Sequence, residues 1–185
     1  MQRRIVEPAD VSASALAELK SWLGITRPNE DDLLIGLLQA ALSMCESFTG
    51  QAPLSQLVEE RLPVEVGQSM FASRPVLSIS KVELLPQNGE RVELTPFEFE
   101  TELQSRGNLI IQLHDDLEGQ ALVVTATVGL SETWDLIPAP LKQGIIRLCA
   151  FHYQERDRQT DSSKHASPPA IVSALWRPWQ SPRLT

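Results

Sequence analysis

The sequence is poor in the residues that most often mark a reactive site. It has 2 cysteines, 3 histidines and 1 tyrosine in 185 residues, and aromatic residues make up 5% of the chain. Cys45 and Cys149 stand among apolar residues at helical spacing, without a Cys-x-x-Cys or Cys/His pattern. We therefore expect two buried, reduced thiols rather than a disulfide or a zinc site.

Long hydrophobic runs are absent too. No stretch approaches the 18 or more apolar residues that a membrane-spanning helix needs. The opening MQRRIVEPADVSAS carries Glu7 and Pro8 where a signal peptide has its apolar stretch. These features predict a protein that is made and kept in the cytoplasm.

Catalytic motifs are also missing. The sequence has no Gly-x-Ser-x-Gly turn, and its 9 glycines are scattered singly rather than forming a phosphate-binding loop. His114-Asp115-Asp116 is the one cluster that resembles metal ligands, but adjacent residues on a strand end point in different directions, so a loop is expected. The alternation of Glu98, Glu100 and Glu102 could hold a cation, although a solvated strand face explains it more simply. We expect no catalytic residue, no metal and no cofactor.

Charge is distributed unevenly along the chain. The net charge is -8, yet residues 1–161 hold 13 basic against all 24 acidic residues, which gives -11. Residues 162–185 hold Lys164, Arg177 and Arg183 and no acid, which gives +3. Because affinity for nucleic acid comes mainly from lysine and arginine, the acidic body is predicted not to grip DNA.

Helical periodicity appears in three long segments. Residues 14–23 form a short amphipathic helix that Gly24 ends. A longer helix starts from a cap at Asn29 and runs to about Thr49, with acids in its first turn. A third helix, opened by two prolines at 138 and 140, carries apolar residues on the face that should pack against the second helix; these are Leu141, Ile145 and Leu148, with His152 in line.

The stretch between the second and third helices alternates as strands do. Asn88-Gly89 predicts a hairpin turn, and LIIQL and ALVVTATVGL predict further strands of an antiparallel module of five or so strands. The expected fold class is α+β, with a helical core of three main helices, an inserted antiparallel β module and a C-terminal tail segment. Its predicted parts are a helical core (1–54 and 137–157), a β insertion (55–136), a flexible linker (158–167) and a docking segment (168–185).

The docking segment, PPAIVSALWRPWQSPRL at residues 168–184, contains two of the four tryptophans, four of the 13 prolines and no acid. Ala170 to Trp176 can form two helical turns between Pro169 and Pro178, with an apolar stripe of Ile171, Leu175 and Trp179. So short a helix needs a surface to lie on. That surface is either the protein's own core or a neighbouring chain, and the polar stretch before it favours the neighbour.

The order of these features resembles the head-to-tail connector, or adaptor, family of long-tailed bacteriophages and phage-derived gene transfer particles. Three pieces carry the resemblance across nearly the whole chain: the EDDLL to CESFTGQ helix, the VGL-to-IPAPLKQ passage from strand to helix, and the ALWRPWQSPRL ending. Trp176 and Trp179-Gln180 depart from the more usual smaller apolar residue and aromatic-arginine pair.

The resemblance implies a non-enzymatic structural protein. Such adaptors form a homo-oligomeric ring, usually of twelve copies, that binds the portal protein on one side and a stopper or tail-side neck protein on the other. DNA would pass through the lumen without specific binding, no membrane is involved, and assembly would take place in the host cytoplasm. The faces of the three main helices would contact neighbouring subunits. The residues expected to contact the portal are Ile171, Leu175, Trp176, Arg177, Trp179, Arg183 and Leu184.

Two alternatives stay open at this point. One is another neck component, such as a stopper or head-completion protein. The other is a small monomeric α+β enzyme or ligand-binding module. If the adaptor interpretation holds, the docking segment should be poorly ordered alone, should become helical on docking, and should be removable without unfolding the rest.

Overall fold

The computed structural model describes residues 2–64, 68–86, 89–104, 107–114, 121–156 and 169–180. The chain divides into two compact units. The β unit comprises Met1–Ala9 and Ser55–Leu130, and the helical unit comprises Asp10–Leu54 and Ser131–Thr185. In sequence, most of the β unit is therefore inserted between the second and third helices.

The β unit contains two antiparallel sheets within its described part. One sheet has five strands in the order β1-β2-β8-β4-β5, and the other has three strands in the order β3-β7-β6. The strands are β1 (Gln2–Glu7), β2 (Gln56–Pro63), β3 (Gln68–Phe71), β4 (Val76–Leu85), β5 (Val92–Glu93), β6 (Phe99–Leu103), β7 (Leu109–Leu113) and β8 (Ala121–Val128).

The core of the β unit is formed by two strands. On β2 buried residues alternate with more exposed ones, and β8 carries a nearly continuous run of buried apolar residues. Val58 and Leu62 are fully buried on one face of β2, and Val123 and Val124 are fully buried on β8. Strand β8 is apolar along almost its whole length because it lies inside the sheet, with β2 on one side and β4 on the other.

A buried carboxylate links two strands of this unit. Glu60 on β2 is 1% exposed, and its two oxygens accept hydrogen bonds from the backbone N–H groups of Ala72 and Ser73, both at 2.9 Å, and from the Ser73 hydroxyl. The carboxylate is tolerated in the core because hydrogen-bond donors replace its water shell.

The helical unit contains four α-helices in its described part: α1 (Ala13–Leu23), α2 (Asp31–Thr49), α3 (Ala139–Glu155) and α4 (Ala170–Trp176). Short 3-10 turns cover Trp134–Leu136 and Arg177–Trp179. Helices α1 and α2 each end at a glycine with φ of 72°, the left-handed cap that only glycine adopts without strain. Within the described residues no helix is long and apolar enough to cross a membrane.

Helix α3 packs on α2, as its apolar face predicts. Leu141, Ile145 and Leu148 are fully buried, and the Cys149 thiol donates to the carbonyl oxygen of Leu37 at 3.4 Å. Lys20 of α1 also donates to Asp31 at the start of α2, with Nζ and Oδ1 2.6 Å apart.

The predicted α+β class is confirmed, but its details change. The described residues form four helices, where three main ones were predicted, and eight strands in two sheets, where about five in one module were predicted. The N-terminal residues assigned to the helical core form β1, which pairs with β2. Helix α2 is capped at Glu30, not Asn29, and without a side-chain cap bond. Strands β4 and β5 pair as antiparallel neighbours, with Glu83 opposite Glu93 and Leu84 opposite Val92, while Asn88 lies outside the described residues and the turn at Asn88-Gly89 stays a prediction.

Candidate protein-docking site

The candidate site is built on α4, which starts where the sequence predicts. Pro169 occupies the N-cap, and its carbonyl oxygen accepts from the N–H groups of Val172 at 2.8 Å and Ser173 at 3.1 Å. Pro178 cannot continue the α-helix, and the chain passes into the 3-10 turn Arg177–Trp179. The turn closes with the N–H of Gln180 donating to the carbonyl oxygen of Arg177 at 3.1 Å.

One face of α4 is buried within its own helical unit. Val172 and Trp176, one helical turn apart, are both 0% exposed. The indole N–H of Trp176 donates to the carbonyl oxygen of Leu141 on α3 at 3.3 Å, and the ring lies 5.8 Å from that of Phe48 on α2. The indole is therefore an intramolecular anchor, with its one polar atom satisfied.

Gly144 on α3 makes room for this anchor. A Cβ placed on Gly144 would collide with Nε1 of Trp176 and would lie 2.8 Å from both Cδ1 and Cε2. Real Cβ atoms essentially never come so close to another heavy atom. The glycine therefore permits α4 to approach α3 closely.

Two glutamine side chains hold the chain after α4. Gln51 donates its side-chain N–H to the carbonyl oxygen of Trp179 at 2.7 Å, and Gln180 donates to the carbonyl oxygen of Phe48 at 3.0 Å. Both bonds join the segment to the end of α2. The 3-10 turn is thus fixed to the helical unit by polar contacts as well as by the indole.

The opposite side of the segment stays available to solvent. Ile171 is 53% exposed, Leu175 and Trp179 are half-buried, and Arg177 is exposed. Ile171, Leu175 and Trp179 follow one another at intervals of four residues, and we call these three residues the outer stripe. The described part of the segment therefore offers an apolar row beside a positive charge.

The predicted portal-contact residues fall into three groups. Ile171, Leu175, Arg177 and Trp179 lie on or beside the outer stripe. Trp176 is buried in its own chain, which corrects the expectation that it meets a partner. Arg183 and Leu184 lie outside the described residues, as does the predicted linker 158–167.

The expectation that the segment becomes helical only on docking is also wrong. Helix α4 is formed and packed on α3 in the single chain. Its anchor was missed because the partners of Trp176 lie far away in sequence: Phe48, Leu141 and Gly144. The spacing of Val172 and Trp176 was a usable signal, since it defines a second apolar stripe beside the predicted one.

A polar cluster joins α2 to α3 at the other end of the helices. The Tyr153 hydroxyl donates to Oε2 of Glu30 at 2.7 Å, and Arg156 donates to Oε1 at 3.2 Å. The Tyr153 hydrogen bond, with a further contribution from Arg156, lowers the pKa of Glu30 below its ordinary value of 4.5. The same bond raises the pKa of Tyr153.

Burial suppresses the thiolate form of both cysteines. Cys45 and Cys149 are both free and 0% exposed, and burial raises the pKa of each thiol to about 12. No group of three or more His, Cys, Asp or Glu side chains among the described residues could hold a metal ion. His114 is described, and its Nδ1 lies 2.8 Å from the carbonyl oxygen of Phe97; its neighbours Asp115 and Asp116 lie outside the described residues.

The fold is α+β, and the candidate site is an apolar row beside an arginine on a segment anchored to its own unit. Three solved structures that share this fold come from gene transfer agent particles. A chain in the neck of a native particle, computed with C12 symmetry, aligns with a TM-score of 0.79 and 21% identity, covering 100% of this chain and 98% of that one. A chain in the neck of an empty particle, computed with C6 symmetry, aligns at 0.76 and 20% identity with the same coverage.

A third chain, from the virion of a native gene transfer agent particle, aligns at 0.77 and 20% identity, again over 100% and 98% of the two chains. The full-length alignments show that the β unit and the helical unit occur together in those proteins. No protein-family model and no curated protein sequence matches this chain.

Proposed function

We propose that this protein is a structural adaptor in the neck of a phage-like particle, where a ring of copies beneath the portal vertex joins the DNA-filled head to the tail. The observation that carries the proposal is the fold shared over the full length with chains of gene transfer agent necks, at a TM-score of up to 0.79 among those compared. The sequence resemblance to the adaptor family, which rests on motifs rather than on shape, supports the same role.

The ring is the second part of the proposal. The related necks were computed with C6 and C12 symmetry, which supports a homo-oligomeric ring, and twelve copies is the number we expect. Faces of α1, α2 and α3 are expected to contribute subunit contacts. A closed ring also suits this chain because many weak contacts to one partner ring add by multivalency.

The charge of the chain fits a channel for DNA. The acidic body carries -11 over residues 1–161, so it repels a phosphate backbone instead of gripping it. A lumen that does not bind DNA lets the genome slide through it during release. Only the end of the chain, residues 162–185, carries a net positive charge, and we place the portal contact there.

The portal contact is proposed on the outer stripe and Arg177. These residues are held on a rigid base, because Trp176 and the two glutamine contacts fix the segment to its own unit. A preorganised surface loses less conformational entropy on binding than a free tail. Arg183 and Leu184 remain proposed contacts beyond the described part.

Point substitutions test the contact better than truncation does. Removing residues 168–185 would also remove the buried Val172 and Trp176 and would destabilise the helical unit. We propose the double variant Ile171→Asp with Arg177→Glu. An acid in the first turn of a helix is favoured by the helix dipole, so α4 should still form.

The matched control is Leu136→Asp, which changes an exposed apolar residue of the same unit outside the docking segment; Leu136 is 67% exposed and Ile171 is 53% exposed. Particles are assembled with each variant, and copies per particle are counted by quantitative mass spectrometry and electron microscopy of the neck. The double variant should lose at least tenfold in incorporation while the control assembles normally. Normal incorporation of the double variant would refute the portal contact.

The location of the density separates the adaptor from its alternatives. A stopper or head-completion protein would occupy the neck without touching the portal ring. A monomeric enzyme or ligand-binding module would be absent from purified particles. Density for this chain directly against the portal, in twelve copies, is the result that the adaptor proposal requires.

A further inference from the structure

Two strands of the β unit lie at sheet edges with little cover. All six residues of β1 are exposed, and in β6 four of five residues are exposed, with Phe99 half-buried. Strand β1 ends the five-stranded sheet, and β6 ends the three-stranded sheet. The unpaired backbone N–H and C=O groups of a long, uncovered edge strand can bind a strand of another chain, so proteins usually shorten or cover such edges.

The other two edge strands are shorter. Strand β5 has only two residues and pairs with Glu83 and Leu84 of β4. Strand β3 is held to β2 by the Ser69 hydroxyl, which donates to the carbonyl oxygen of Pro63 at 3.0 Å, and by the Glu60 carboxylate that binds the residues just after β3. Among the described residues, β1 and β6 are therefore the two longest strands at the ends of the sheets.

The backbone of β6 offers regular hydrogen-bonding positions. The N–H of His114 donates to the carbonyl oxygen of Glu98, and that of Gln104 donates to Asn108, at 3.0 and 2.8 Å. Even-numbered residues thus point their backbone groups toward β7. By alternation, the backbone groups of Phe99, Thr101 and Leu103 point toward the open edge.

We propose that β1 of one copy adds to β6 of the next copy, so that successive β units share a continuous sheet around the ring. The proposal rests on the ring in the proposed function and identifies one of its subunit contacts. The two edges are different surfaces of the same chain, and a contact between different surfaces is the head-to-tail kind that closes into rings.

On the side of each sheet that faces its core, β1 and β6 each carry an exposed apolar residue. Ile5 on β1 pairs with the fully buried Val58, and it is 48% exposed. Leu103 on β6 pairs with the buried Leu109 and is 61% exposed. Joining the two edges would place Ile5 and Leu103 on the same side of one sheet and cover both of them.

The opposite faces match in charge. Arg4 pairs with Glu59, and Arg61 lies on the same face of β2. The hydrogen bonds from Arg91 lower the pKa of Glu59 most, and the charges of Arg4 and Arg61 lower it further. On β6 this face carries Glu100 and Glu102, and no lysine or arginine occurs between Arg91 and Arg106. Opposite charges on neighbouring strands stabilise their pairing, so arginine on β1 faces glutamate on β6.

Cysteine cross-linking tests the contact in the full-length chain. Ile5→Cys in one chain and Leu103→Cys in another are mixed and joined by oxidation or a short bis-maleimide. The native Cys45 and Cys149 are buried and do not interfere. The matched control pairs Leu103→Cys with Leu77→Cys, since Leu77 on β4 of the same unit is also 48% exposed. At least tenfold more adduct is expected for the first pair than for the control.

Charge reversal then tests the outer face. Arg4→Glu beside Ile5→Cys should reduce the adduct at least threefold, and Glu102→Arg in the partner chain should restore it. A yield equal to that of the control pair, or a yield unaffected by reversal, would overturn the proposed pairing. A ring seen in particles without the adduct refutes this contact alone, whereas abundant adduct from a chain absent from the neck refutes the proposed function alone.

Discussion

The indole of Trp176 occupies the space that a side chain at residue 144 would fill. This contact joins α4 to α3 and turns the last described segment from a tether into part of the helical unit. It also separates two roles, anchoring and docking, that the sequence alone assigns to one set of residues. Trp176 holds the segment in place, and the outer stripe of Ile171, Leu175 and Trp179 is the proposed docking surface.

Gly144→Ala should destabilise the helical unit, because its Cβ would collide with the indole. Overpacking of this kind costs about 1–3 kcal/mol of the free energy of unfolding, despite the higher helix propensity of alanine. The control is Gly36→Ala on α2, where a Cβ meets nothing within 4 Å. That variant should be neutral or stabilised by up to about 1 kcal/mol. Urea denaturation compares the two, and equal stabilities would disprove the close contact.

Glu60→Gln should destabilise the β unit. An amide has one acceptor oxygen where the carboxylate has two, so a backbone N–H of Ala72 or Ser73 would face an N–H group. A buried donor without a partner costs about 1–3 kcal/mol. The control, Glu100→Gln on the exposed strand β6, should change stability by less than about 0.5 kcal/mol. Thermal unfolding of both variants measures the difference.

The Glu30 cluster should make stability depend on pH in the acid range. The folded pKa of Glu30 lies below its ordinary value, so the unfolded chain binds its proton first and stability falls with pH. The contribution is complete above the ordinary pKa of 4.5 and disappears as pH drops through the folded pKa. Glu30→Gln should therefore differ most from the wild type at neutral pH, and the difference should shrink as the pH falls below 4.5.

Urea unfolding at a series of pH values measures this dependence. Glu132→Gln, which removes an exposed glutamate elsewhere in the helical unit, serves as the control and should keep the wild-type slope. A slope for Glu30→Gln that matches the control would show that the bonds from Tyr153 and Arg156 do not stabilise the fold.

Cys45 and Cys149 should resist thiol reagents in the folded protein. With each pKa near 12 and no exposed surface, almost no thiolate can reach the reagent. Ellman's reagent at pH 8 should react at least a hundredfold more slowly with the native chain than with the chain in urea, where both thiols react. Rapid labelling of one thiol without urea would contradict the burial of that residue.

Much of the helical unit could be predicted from local signals. Gly24 and Gly50 mark the ends of α1 and α2, Pro138 and Pro140 mark the start of α3, and the apolar spacing identifies the buried face of each helix. These signals succeed because caps and periodicity act within a few residues. They also predicted both ends of α4, since Pro169 and Pro178 limit where a helix can form.

The errors arose where distant residues meet. The N-terminal strand β1 buries none of its side chains, so its sequence carries no alternating apolar pattern, and only its pairing with β2 makes it a strand. On α4 two apolar stripes were available. The space beside Gly144 determines which of them is buried, and residue 144 is more than twenty residues away in the chain.

The sequence by itself determined the α+β class, the helix boundaries, the acidic body with its basic end, and the composition of a segment that must lie on a surface. These depend on composition and on interactions between near neighbours. The tertiary structure decided which face of α4 is buried and which strands are left as open edges, because burial depends on what the rest of the chain places beside a residue.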